Sequence, residues 1–342
     1  MRVAGSIRLP WFGPGRVPLY LAPMARHTDF AFRALCKERG ADVMVTEFVQ
    51  SEALLRDNAK AWEMVDFAPE QRPMGVQIFG AKPASMARAA RLVCDRLRPD
   101  FLDLNFGCPA HKVIEQSAGS GLLRCTPLLF DIVKSVRDAI PDVPLTAKMR
   151  LGWDADSIVA VEVAGRLEQL GVEAIAVHGR TRAQGYSGEA DWDWIGRVAA
   201  AVSIPVVGNG DLRDPASAVG RLRRHGVAGL MVGRAALASP WIFGDIKAAL
   251  KGNPQSPKPT PAERWGILIR LAELTLERAA QGPGERDVRW MFAKLHPLTQ
   301  GLPSCRRVRD AIQRCQSLND LRSLAKAHLA EIDKTTQTID NN

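Results

Sequence analysis

Residues able to do chemistry recur in this chain at the ends of short apolar runs, where they make poor core and good site material. Cys108 stands between Gly107 and Pro109, directly after the run 101–104 and the dipeptide Asn105-Phe106. A packing cysteine sits inside an apolar pattern. This one is held on a loop that Gly107 frees and Pro109 stiffens, a placement suited to a thiol that reaches a substrate. Lys148 and Arg150 close another run and His178 a third. A lysine so placed serves as a Schiff-base amine, as a fixed cation beside an electron-rich ring, or as half of a structural ion pair, and the residues alone leave these open. His178 leads into Gly179-Arg180-Thr181-Arg182, a basic loop that points to ligand contact. Asn209-Gly210-Asp211 and Gly233-Arg234 close two further runs. They combine flexible backbone, free N–H groups and a cation, the equipment of a phosphate site.

The elements that must position these residues alternate. Apolar runs fall at 20–23, 43–46, 75–79, 101–104, 145–149, 174–177, 205–208 and 229–232, separated by amphipathic helical stretches such as 84–97, 127–139, 157–170, 191–202 and 215–225. Apolar strands separated by helices imply parallel pairing with both faces covered. Eight such units predict an α/β fold, a closed (β/α)8 TIM barrel, whose functional residues gather at the C-terminal ends of the strands. Phosphate sites in such barrels commonly follow the seventh and eighth strands, where the two glycine-bearing loops lie. A doubly wound open sheet is the alternative; no GxGxxG follows the first strand to support it.

The chain has 342 residues, 46% hydrophobic and 24% charged, enough for one large core and a smaller unit without extensive disorder. Prolines 10, 14 and 18 interrupt any signal pattern, and no apolar run approaches the roughly 20 residues needed to span a bilayer. Six cysteines without CxxC spacing read as thiols of a reducing cytoplasm and imply no metal site. The segment 251–261 is rich in Pro, Gly, Ser and Lys and reads as a linker between a catalytic barrel at 1–250 and a small C-terminal helical domain at 262–334; a frayed tail at 335–342 is expected to follow. Net charge is +9, and the stretch 286–326 carries nine basic residues against three acidic ones. Such a concentration suits a polyanion, most simply nucleic acid.

With these residues assembled, the chain resembles the tRNA-dihydrouridine synthases, flavin-dependent oxidoreductases. The resemblance is carried by Leu21-Ala22-Pro23-Met24-Ala25, Val76-Gln77-Ile78-Phe79-Gly80, the Asp103 to Pro109 string, Ala118-Gly119-Ser120-Gly121, Lys148-Met149-Arg150-Leu151-Gly152-Trp153, Val177 to Arg182, Gly208 to Asp211, and Met231 to Ala235. It implies that FMN occupies the barrel mouth, lined by Pro23, Met24 and Ala25, with Gln77 on the flavin ring, Lys148 beside it and His178 as a further contact. Asn209, Gly210, Asp211, Gly233 and Arg234 would hold the cofactor phosphate. Asn105 would touch the uracil, while Lys112, Arg180 and Arg182 would meet RNA. The implied reaction reduces the C5=C6 bond of a uridine in tRNA with hydride derived from NADPH (or NADH), and Cys108 gives the proton to C5. The helical domain would bind the tRNA, and no obligatory protein partner is implied. Arg26-His27 and Gly121 depart from the family's usual strings without touching that chemistry. Two other readings compete: a flavoenzyme of a free pyrimidine, such as a dihydroorotate or dihydropyrimidine dehydrogenase, and a Schiff-base aldolase using Lys148.

Overall fold

The structure, a computed structural model, describes residues 8–254, 257–280, 291 and 294–340. Nine strands form one parallel sheet: β1 (Leu19–Leu21), β2 (Met44–Val45), β3 (Val49–Gln50), β4 (Met74–Phe79), β5 (Phe101–Phe106), β6 (Leu145–Arg150), β7 (Ala174–His178), β8 (Val206–Asn209) and β9 (Gly229–Val232). Their order is β1-β9-β8-β7-β6-β5-β4-β2, and β3 continues alongside β4 beyond β2. The ring closes where Tyr20 bridges Val43 and the Leu21 N–H bonds the Val43 carbonyl at 3.1 Å. The eight runs read from the sequence are all present. β3 is an addition, a two-residue continuation after the Thr46-Glu47-Phe48 interruption.

Period-two alternation decides what fills the barrel. Tyr20, Val43, Phe101, Ala174 and Val207 share an inner apolar cluster. Gly75 pairs with Phe101, and a Cβ there would lie 2.2 Å from the Phe101 ring, so only glycine fits. The floor is stoppered by a segment the sequence reading overlooked. Pro10–Phe12 forms a 3-10 turn, Trp11 lies 5.6 Å from the Phe101 ring, and its Nε1 donates to the Tyr20 hydroxyl at 2.6 Å. Continuing the alternation upward, the registers Gln77↔Asp103↔Thr146 and Asn105↔Lys148 place polar side chains above this apolar floor.

The C-terminal part is helical, as expected: Pro261–Ala280, Cys305–Ile312 and Leu318–Asp340. Thr260 and Glu263 cap the first reciprocally, with Thr260 N–H donating to Glu263 at 2.7 Å and Glu263 N–H to Thr260 Oγ1 at 3.2 Å. Trp265 is buried and donates to His328 Nδ1 at 3.0 Å, joining the first and last helices. Ile267, Leu268 and Leu271 belong to the same hydrophobic cluster as the barrel's outer layer. The tail expected to fray at 335–342 is helical as far as Asp340, since no Gly or Pro interrupts the hydrogen-bond ladder after Leu318. Of the basic stretch, Arg286 and Arg289 lie outside the described residues. Arg306, Arg307, Arg314, Arg322 and Lys326 are exposed, although Arg307 pairs with Glu331 and Arg322 with Glu273 at 2.8 Å. Among the described residues no helix is long and apolar enough to cross a membrane.

Candidate active site

One cavity of about 1310 Å³ opens at the C-terminal ends of the strands. It gathers residues singled out from the sequence: Pro23, Met24 and Ala25 after β1, Asn105 on β5 and Cys108 after it, Lys148 and Arg150 on β6, His178 on β7, Asn209 at the end of β8 with Gly210 and Asp211 after it, and Gly233 and Arg234 after β9. Lys258, Arg264 and Gln300, from the chain beyond the barrel, complete its wall.

The Cys108 loop is held mainly by neutral groups. Asn105 Oδ1 accepts the N–H groups of Gly107 at 3.1 Å and Cys108 at 2.9 Å, which fixes the loop. The Cys108 carbonyl accepts Ser120 Oγ at 2.8 Å, while Gly119, at φ +58°, lies so close that a Cβ would meet that carbonyl at 3.0 Å. The thiol is 8% exposed, and burial pushes its pKa up. A thiol pushed in that direction keeps its proton more readily, which suits a proton donor better than a nucleophilic thiolate.

Beneath it runs a buried relay that sequence reasoning found only in part. Asn105 Nδ2 donates to Gln77 Oε1 at 2.7 Å, and Gln77 Nε2 donates to Asp103 Oδ2 at 2.5 Å. Thr146 Oγ1 donates to Asp103 Oδ1 at 2.5 Å. Gln77 is 0% exposed and absent from the cavity wall, so the expected ring contact gives way to a supporting place in this relay. Asp103 and Thr146 were missed, although they follow Phe101 and precede Lys148 at the inward spacing of two. Burial pushes Asp103 up to about 6, against hydrogen bonds from Thr146 and Gln77 and the charge of Lys148. Lys148 is pushed down to about 8, first by burial and then by Arg150, with Asp103 opposing.

The opposite side is built from charge. Asp211, at φ +49°, places its carboxylate among three guanidiniums: Arg180 at 2.7 Å, Arg234 at 3.3 Å and Arg213 at 3.4 Å. Burial works to raise this carboxyl, but the Ala190 N–H and Arg180 outweigh it and hold it low. Asn209 Nδ2 donates to the Met231 carbonyl at 2.7 Å, tying the β8 and β9 ends together. Gly233 caps the short helix Arg234–Ala238, whose first N–H groups have no carbonyl partner within the helix. Burial, then the cations of Lys148, Arg150, Arg180 and Arg234, hold His178 far below the usual imidazole range, so it is uncharged.

One arginine expectation needs revision. Arg180 is 0% exposed and bonds Ser187, Gly188 and Asp211, so it cannot meet RNA as the resemblance implied. Arg150, ending β6, is likewise buried and clamps the carbonyls of Gly107, Thr181 and Gly185 at 3.0, 2.7 and 2.9 Å. Arg182 lies off the cavity wall with its guanidinium over the Trp153 ring at 4.4 Å, and Lys112 is exposed on the short helix His111–Ile114 that follows the Cys108 loop. Tyr186, 56% exposed at the cavity wall and 4.3 Å below Arg234, was also missed. Its signal was an aromatic between glycines in the β7 loop.

The family model for dihydrouridine synthase (Dus) matches residues 20–335. The tRNA-dihydrouridine synthase B of Pseudomonas aeruginosa is 40% identical over 312 residues, which cover 90% of this chain and 93% of that protein. A probable tRNA-dihydrouridine synthase of Aquifex aeolicus is 32% identical over 309 residues, covering 88% and 92%. Among solved structures, that titled "Crystal structure of TcOYE with pHBA" shares the fold at a TM-score of 0.50 and 12% identity, covering 71% of this chain and 91% of that one.

Proposed function

The chain belongs to the dihydrouridine synthase family, and on that premise we propose that its cavity holds FMN beside an extruded uridine, with NADPH as the source of reducing power and Cys108 as the acid. The protein is a flavin-dependent oxidoreductase that reduces uridines in tRNA. The residues present fit the cofactor. The cavity exceeds the roughly 300–1,000 Å³ of a single small-ligand site, so it has room for a flavin and a nucleobase. The Gly233–Arg234 turn offers N–H donors and a cation to a phosphate, and Lys148 and His178 stand on the adjoining wall. Flavin, when bound, supplies hydride for C6 of the uracil.

The chain's own residues do the rest. Cys108 holds a proton at Sγ and gives it to C5, and its raised pKa keeps that proton in place at neutral pH. Asn105 and Ser120 keep the thiol's loop in register. Lys148 lends positive charge to the electron-rich face of the cavity while pH stays below about 8. A lysine lowered in this way would also suit Schiff-base chemistry, and family membership is what decides against the aldolase. Uracil in folded RNA is stacked, so the nucleotide must leave its stack to reach the cavity. Lys112, Arg182 and the exposed arginines of the C-terminal helices would hold the flanking phosphates.

The observation that carries this reading is that the buried Cys108 thiol, Lys148 and the Arg234 turn line one cavity. Incubation with NADPH and unmodified tRNA transcripts, beside Cys108→Ala, tests it by mass spectrometry. Dihydrouridine from the native protein and little from the variant is the expected result. Turnover of free pyrimidine without tRNA would replace it with the rival flavoenzyme.

A further inference from the structure

We infer that Arg180 is a positioning residue that fixes His178 as an uncharged imidazole protonated on Nδ1, so that this wall of the cavity offers its ligand a neutral N–H donor. The buried Arg180 guanidinium is held from several sides: Nε donates to the Ser187 carbonyl at 3.2 Å, and Nη2 donates to the Gly188 carbonyl at 2.6 Å and to Asp211 Oδ2 at 2.7 Å. Its Nη1 lies 3.3 Å from His178 Nε2. A guanidinium has donors only and does not give up its proton in a protein, so Nε2 must accept. A neutral ring carries one N–H, and that proton is then left to Nδ1. A second proton on Nε2 would set donor against donor and charge against charge.

The surroundings agree. Lys148, Arg150, Arg180 and Arg234 are the cations that face the ring, and all oppose its protonation. Tyr186 stands at 6.4 Å, tilted by 41°. The nearest carboxylate named in this network, Asp211, is engaged by Arg180 and so anchors the guanidinium. A Cβ at Gly210 would meet Cδ2 at 3.1 Å and Nε2 at 3.5 Å, so that edge of the ring packs against backbone. Nδ1 has no hydrogen bond among the described residues, and His178 lines the cavity. The cavity thus presents two unlike donors: Lys148, which brings charge, and His178, which brings direction alone. That the acceptor is an oxygen of FMN rests on the function proposed above; the tautomer does not.

The test is a two-bond proton–nitrogen correlation spectrum of the purified protein labelled with ¹⁵N-histidine, in which the chain's six histidines give separate patterns. His178→Gln identifies the pattern that belongs to residue 178. An Nδ1–H pattern that does not titrate from roughly pH 6 to pH 9 is expected. An Nε2–H pattern, an imidazolium, or a titration within that range would overturn the proposal. Arg180→Lys keeps the charge and loses the fork, and it is expected to give mixed tautomers; an unchanged pattern would remove Arg180 from the role. Should that variant fail to fold, Asp211→Asn, which loosens the guanidinium, is expected to shift the same cross-peaks, and the native spectrum still decides the tautomer. Loss of dihydrouridine formation alongside an intact Nδ1–H pattern would strike the proposed function and leave this inference standing.

Discussion

The two sides of the cavity immobilise their residues by opposite means. Around Cys108 the chain uses mainly amides, hydroxyls and backbone N–H groups, anchored on the one carboxylate of Asp103, with Arg150 holding the Gly107 carbonyl. Around Asp211 it uses three guanidiniums on one carboxylate. The neutral side suits a group that must keep a proton, because burial raises a thiol's pKa when no strong cation contact offsets it. The charged side suits a group that must hold an anion. The lesson is that burial can keep a thiol's proton in place although Arg150 and Lys148 oppose it, while a carboxylate ringed by guanidiniums prepares the other wall for an anion.

The comparison breaks first at Cys108. Cys108→Ala is expected to lower dihydrouridine formation by about 10²–10⁴-fold, the usual worth of a placed acid, without lowering flavin content. Loss of flavin along with activity would mean that the two walls are not separate. Asp103→Leu comes next, since it leaves the Gln77 and Thr146 donors without their acceptor. At about 1–3 kcal/mol for each unsatisfied group, chemical denaturation should show a loss of about 2–6 kcal/mol, and Asp103→Asn should restore most of it. On the charged wall, Arg234→Ala should weaken flavin binding about tenfold or more while leaving the Cys108 chemistry intact once the cofactor is saturating.

Acidity sharpens the contrast further. Lys148 is a cation below about 8 and loses its proton above it, so turnover should fall about tenfold per pH unit beyond that point. Lys148→Arg should move this limb upward if charge is what matters. The smallest effect belongs to the helical surface: Arg306→Ala should reduce the salt slope of tRNA binding by roughly 0.7–0.9 if that side chain meets a phosphate.

Much of this was legible beforehand for a physical reason. Parallel strands covered on both faces read as apolar runs, which is why all eight could be found, and strand ends concentrate the polar exceptions. β3 and the Trp11 stopper could not be found that way, because two residues make no period and a turn under a barrel has none. Asp103 was within reach, since Phe101, Asp103 and Asn105 alternate inward together. Arg180 was not. A guanidinium beside another arginine in a Gly-rich loop reads as surface, and its burial depends on Asp211 and on carbonyls that only the folded loop brings near.

The closure of the ring has a temporal consequence. Leu19 pairs with Leu230 and Leu21 with Val232, so the first strand to leave the ribosome waits for the last one. Until β9 emerges, the outer edges of β1 and β8 stay unpaired, and such edges invite association with other chains. Fragments ending before residue 229 should therefore be aggregation-prone whatever their intrinsic helix content. Contacts this distant in sequence also make for slow folding. The cavity, drawing on residues from Pro23 to Arg234, cannot form before that step, and its wall is completed only when Lys258, Arg264 and Gln300 follow.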